Sequence, residues 1–213
     1  MASFAAAGLT GLLGLMSLRR VKLRRELPLA LMPIIFAIQQ GIEGMLWLSL
    51  EADPEGVAAR VPALGFLLLA EVFWPLYVPA MALLIEHRPQ RQLLVLPWLA
   101  VGAAVASYMT WTVLGGPHGA RIVDGHIVYV TGDRYVLFVA LPYLAAITVP
   151  LLLSAERSLV TLGSIVMLGY LVTFATYWMA FVSVWCFFAA AASATIVFHF
   201  YRPTSAGPRI PGA

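Results

Sequence analysis

The chain of 213 residues is 62% hydrophobic and 11% charged, with a mean hydropathy of +0.90 and a net charge of +3. A water-soluble domain of this size cannot bury so much apolar side chain, so the composition reads as a polytopic membrane protein. Cys186 is the only cysteine, which excludes an intramolecular disulfide and any two-cysteine metal or redox motif.

A hydrocarbon core about 30 Å thick needs about 20 apolar residues per helix. Measured that way, the chain predicts seven spans, over about 3–18, 28–50, 61–85, 93–115, 135–154, 158–177 and 181–200. In the first, Gly8, Gly11 and Gly14 recur at three-residue spacing, a close-packing face for a neighbouring helix or for a second copy of the chain. Its charges follow the apolar stretch, the reverse of a secretory signal peptide. The last two spans share one apolar run, 158–201. As a single helix that run would extend about 65 Å, so a break is expected near Tyr177–Val182.

The connections set the orientation. "RRVKLRRE", "EHRPQR", "SAERS" and the tail together hold ten basic residues; the alternate set, "EADPEGVAAR" and the loop 116–134, holds three. Basic residues gather on the cytoplasmic side, so the N-terminus is expected outside and the C-terminus in the cytoplasm. That topology explains the basic residues without nucleic acid. The outer loop "GGPHGARIVDGHIVYVTGDRY" predicts a short β-hairpin turning at Asp124-Gly125, either a tethered connector or a lid, with Asp133 capping the fifth helix. The expected fold is thus all-α. Residues 1–201 form one seven-helix transmembrane domain with an outer hairpin loop at 116–134, and 202–213 a disordered cytoplasmic tail.

Two charged groups lie well inside the spans, Glu43 and Glu71. Reflecting the second and third helices about their short loop sets Gln40 opposite Glu71, within about one helical turn in depth of Glu43, in the outer half of the bilayer. Gln39, Glu43 and Trp47 form an i, i+4, i+8 stripe. A charged carboxylate at mid-membrane costs at least about 2.5–3.5 kcal/mol, and such residues face a partner or a cavity. With no basic residue in the spans, three arrangements satisfy this. The glutamates are protonated, or they are hydrogen-bonded to Gln39 or Gln40 in an interhelical clamp, or they neutralise a cationic guest. Trp74, with Pro75 and Pro79 after it, marks a kinked helix beside Glu71. Tyr108, Trp111, Tyr170, Thr173, Tyr177 and Trp185 belong to the same half, as pocket walls or, for the tryptophans (Trp47 and Trp178 among them), as an interfacial belt.

Other chemistries drop out. A retinal protein needs a membrane-embedded lysine, and Lys22, the one lysine, is in a loop. Intramembrane zinc hydrolases need converging histidines and an aspartate, and no aspartate lies in a span. His118, His126 and Asp124 match no standard metal spacing, and no metal site is expected. Walker, dinucleotide and nucleophile-elbow patterns are missing. The second and sixth helices share no carboxylate, so a duplicated carrier finds no support.

At "RRELPLALMPIIFAIQQGIEGMLWL" and "FWPLYVPAMALLIE" the chain resembles a family of uncharacterised bacterial integral membrane proteins, classified as a domain of unknown function and marked by a QQ-x-x-E-G motif in the second helix. The resemblance implies a multi-pass protein of the bacterial inner membrane. Members often open Met-Cys-Phe-Ser-Ala where this chain reads "MASFAAAG", so nothing carries over for that cysteine, and the start is expected to be truncated or divergent. The leading functional expectation is a carboxylate- and aromatic-lined pocket in the outer half, for binding, transport or sensing of a small cationic or apolar ligand or a proton. One alternative is an enzyme acting on a lipid or isoprenoid with Glu43 and Glu71 as acid and base; another is an accessory subunit of a membrane complex. Membrane lipid is the expected partner, with a small ligand or a second copy as candidates. No cofactor is indicated.

Overall fold

The computed structural model describes residues 2–53, 57–116, 118–130, 136–176 and 181–201. In chain order they form α1 (Ala2–Leu18), α2 (Leu27–Ala52), α3 (Arg60–Leu67), a π-helical stretch (Leu68–Phe73), α4 (Trp74–Ile85), α5 (Pro89–Gly115), β1 (Gly119–Val123), β2 (His126–Val130), α6 (Val136–Leu152), α7 (Arg157–Thr176), α8 (Phe181–Ala192) and α9 (Ala194–Tyr201). This is the expected all-α bundle with one small hairpin. Among the described residues, five helical stretches are long and apolar enough to cross a membrane: Arg24–Ala52, Val57–Ile85, Pro89–Gly115, Arg157–Thr176 and Val184–Tyr201. Ala2–Leu18 and Phe138–Leu152 are shorter apolar helices.

The burial pattern is that of a chain dissolved in lipid. In α1 the buried residues are Ser3, Thr10, Gly14 and Ser17, while Leu9, Leu12 and Leu15 are exposed. Thr10 and Ser17 turn their hydroxyls back onto the carbonyls of Ala6 and Leu13, so neither needs another helix. Elsewhere Leu93, Phe138 and Phe198 also face outward. Exposed apolar surface on this scale marks a membrane-embedded protein.

α1 runs antiparallel against α2. A Cβ on Gly14 would lie 2.5 Å from the Ile34 side chain, one on Gly44 2.7 Å from the Phe4 ring, and one on Gly11 3.6 Å from Ala37. Gly11 and Gly14 therefore pack within the chain, and Gly8 has nothing within 4 Å. Small residues let two backbones approach where no hydrophobic force drives the helices together.

The third apolar run departs from a plain α-helix at Leu68–Phe73, where one turn widens around Glu71. Pro75 carries no N–H, which leaves carbonyls one turn earlier short of a donor. The Tyr143 hydroxyl of α6 donates to one of them, Ala70. Pro79 likewise cannot donate to Pro75, and that carbonyl instead abuts Gly102 of α5, where a Cβ would lie 1.9 Å from its oxygen. The last span is also interrupted. The N–H groups of Ser193 and Ile196 bond the carbonyls three residues back, those of Ala190 (3.1 Å) and Ser193 (3.0 Å), a tightened turn that separates α8 from α9. The Ser193 hydroxyl also donates to Ala190 at 2.6 Å. The expected break near Tyr177–Val182 rests mostly on residues 177–180, which lie outside the described residues, as do Asp133 and the tail 202–213.

The end away from the hairpin is tied by Glu86, only 4% exposed. Its carboxylate accepts the N–H groups of His87 (3.1 Å), Arg88 (3.0 Å) and Ala155 (3.1 Å), joining the end of α4, the start of α5 and the α6–α7 connection. Burial pushes the Glu86 carboxyl up. The N–H groups of Ala155 and Arg88, the charge of His87 and its N–H together outweigh that and hold it below 4.5.

Two outcomes follow from this packing. Gly102→Ala lowers detergent-measured stability by roughly 1–3 kcal/mol, whereas Gly8→Ala is neutral. A carboxyl with a lowered folded pKa contributes stability above its unfolded value, and that contribution is lost as pH falls through the folded one. Wild-type melting temperature therefore drops on acidification below the ordinary carboxylate range, and Glu86→Gln, already less stable at neutral pH, shows a flatter profile there.

Candidate functional site

α2 is apolar along most of its length, yet Gln39, Gln40 and Glu43 are 0%, 0% and 2% exposed. With 3.6 residues per turn, Glu43 stacks one turn above both glutamines, so all three project into the bundle. Two of them hydrogen-bond to different elements. The Trp74 indole of α4 donates Nε1 to Gln39 Oε1 at 2.7 Å. The Ser3 hydroxyl of α1 donates to Glu43 Oε2 at 3.3 Å. Among the described residues Gln40 finds neither a donor nor an acceptor for its amide, although both Oε1 and Nε2 are fully buried. A buried amide left without partners costs about 1–3 kcal/mol for each group.

Two further residues join this core. The Cys186 thiol of α8, completely buried, lies against Gln39 and within electrostatic reach of Glu43 and Glu71. Tyr129 of β2 is near the same two carboxylates. Burial first, and then the Glu43 charge, holds its phenol well above the ordinary value of 10. Thr173 of α7 is 0% exposed and its hydroxyl has no partner among the described residues. Glu71, half-buried on the π-helical stretch, thus shares two neighbours with Glu43.

The hairpin closes this end of the bundle. Its strands pair Gly119 with Val130 through Val123 with His126, and Asp124 (φ 50°) and Gly125 (φ 74°) both take the left-handed backbone that a type I′ turn needs. Period-2 alternation sends Ile127 and Tyr129 inward together. Ile127 is 0% exposed among Leu46, Leu50, Ala59 and Ala63, and the Tyr129 ring stacks on Phe66 at 4.7 Å and 5°. On the opposite side of the polar core the Trp74 ring stacks on Phe36 at 4.1 Å. Beyond it lies a small apolar cavity walled by Met32, Phe36, Trp74, Ile147, Leu162 and Trp185.

Not every expected wall residue meets the core. Trp111 is 71% exposed, and Tyr108 has its ring 6.2 Å from that outward-facing indole. Trp47 packs beside the hairpin cluster. Tyr170 is buried, donating to the Ala140 carbonyl at 3.3 Å and meeting Trp185 edge-on at 5.7 Å. Among the described residues no group of three or more His, Cys, Asp or Glu side chains is gathered for a metal. Sequence reasoning passed over Ser3, Tyr129 and Cys186. The reflection that aligned the second and third helices, applied about the basic turn, sets Ser3 near Glu43; nothing local in the sequence points to Tyr129 or Cys186.

Fold and site together define a membrane-embedded helical bundle with a buried amide–carboxylate core. The chain belongs to DUF6629, a family of unknown function, whose model matches residues 1–210. No curated protein and no solved structure matches it.

The two adjacent glutamines differ in one measurable respect. Gln39→Leu strands the Trp74 N–H and costs about 1–3 kcal/mol, whereas Gln40→Leu removes an unpartnered amide and is neutral or stabilising. Thermal melting of the two purified variants in one detergent separates them.

Proposed function

We propose that this chain is a multi-pass protein of the bacterial inner membrane whose seven apolar segments all cross the bilayer. The N-terminus and hairpin are outside, and the polar core takes a small polar guest, a proton carried on water or a small cation. The orientation is supported by the ten-to-three distribution of basic residues between the two sets of connections. The observation that carries the reading is Gln40, whose amide oxygen and nitrogen are both buried without partners among the described residues, one turn from Glu43. A guest with an N–H or O–H donor and a positive charge satisfies the amide oxygen and the carboxylate together. Glu71, near the same Tyr129 and Cys186 side chains, is the second carboxylate able to take up a proton. Gln39 holds the Trp74 wall. The hairpin, with Ile127 and Tyr129 seated over the core, separates the guest from the outer solution.

Proteoliposomes loaded with a pH-reporting dye and driven by a potassium-diffusion potential test this. Wild type passes protons faster than empty liposomes, and Glu43→Gln and Glu71→Gln abolish the excess while melting with the wild type. Wild-type flux equal to that of empty liposomes overturns the reading. Variants that only melt lower while conducting normally identify Glu43 as an interhelical clamp.

A further inference from the structure

The connection between α1 and α2 does more than turn the chain. Arg19, Arg20, Lys22, Arg24 and Arg25 are all exposed, five cations within seven residues. The nearest acid in sequence, Glu26, is engaged by backbone N–H groups: its Oε2 accepts those of Lys22 and Leu23, both at 3.3 Å. Among the described residues none of the five forms an ion pair. Leu23 and Leu27, 46% and 43% exposed, are interleaved with the charges. The Arg20 guanidinium lies 4.6 Å from the centroid of the half-exposed Tyr201 ring at the end of α9, which fixes one edge of the patch to the bundle.

We infer that this turn is a binding site for the headgroups of anionic phospholipid in the surrounding bilayer. Clustered cations at the end of a membrane helix attract a negative surface, and the effect falls off within a Debye length. The interleaved leucines suit the boundary between headgroup and acyl chain, where a soluble anion gains nothing from them. Arg24 and Arg25 are adjacent and both exposed, and each guanidinium can meet a phosphate with forked hydrogen bonds. The site stands apart from the Glu43 core and holds on whichever side of the membrane the turn lies.

The test is lipid retention. Wild type is purified from mixed vesicles of equal phosphatidylglycerol and phosphatidylcholine, and the lipid that stays bound is counted by native mass spectrometry. Phosphatidylglycerol is expected to be enriched several-fold. The enrichment falls by about ten-fold in Arg24→Gln/Arg25→Gln and disappears near 1 M salt, where screening acts within about 3 Å. Equal retention of the two lipids by wild type overturns the proposal, as does an enrichment that the double variant leaves unchanged. Should the double variant fail to fold, the wild-type salt series decides, and enrichment that survives high salt overturns it. Loss of enrichment to inorganic phosphate at low salt, with ionic strength matched, assigns the patch to a soluble anion and overturns the lipid reading.

Discussion

The hydrogen bond from Trp74 Nε1 to Gln39 Oε1, 2.7 Å long and out of reach of water, is the contact on which the interior depends. In hydrocarbon neither partner has a solvent to fall back on, so the two helices that carry them are held in one register. That register brings the Trp74 ring onto Phe36 and places it as a partition, with polar side chains on one side and an apolar cavity on the other. It also sets the height of Glu43 one turn above, where Ser3 and the hairpin meet it.

Around that partition the backbone is arranged to tolerate proline. Pro75 and Pro79 each leave carbonyl groups short of a donor, and a lipid-facing helix could not leave them so. The widened turn around Glu71, the Tyr143 hydroxyl at Ala70 and the close approach of Gly102 to Pro75 deal with the consequences inside the bundle. π-helical turns of this kind recur at functional sites, because the extra residue re-aims a side chain without breaking the helix. Here the re-aimed position is occupied by one of the two acidic residues inside the spans.

Much of the architecture could be read from the chain. Apolar run length located the helices to within a few residues, and Asp124-Gly125 between two β-rich runs located the hairpin and its turn type. The embedded Gln39, Gln40 and Glu43 stood out because each is expensive in hydrocarbon, and all three prove to be buried. Other features were out of reach. Trp111 and Trp74 are both tryptophans of apolar helices; one faces outward and the other is buried, because α5 turns most of its surface away from the bundle and α4 does not. The split of the last span at Ser193 was missed, since the tightened turn there is a matter of backbone hydrogen bonds three residues apart, and a serine in an apolar run does not by itself call for one.

What the sequence by itself determined is the set of quantities that a bilayer enforces locally: the length of each apolar run, the imbalance of charge between connections, and the rarity of carboxylates inside. Each is a property of one segment in contact with its solvent, so no neighbour is needed to read it. What only the tertiary structure decided is which polar groups share the interior. Ser3, Gln39, Glu43, Tyr129 and Cys186 come from four separate elements, and their proximity is the product of helix registers set by glycine contacts, by proline-freed carbonyls and by the seating of a hairpin. Those registers depend on side chains meeting across the bundle, and the order of residues along one chain does not state them.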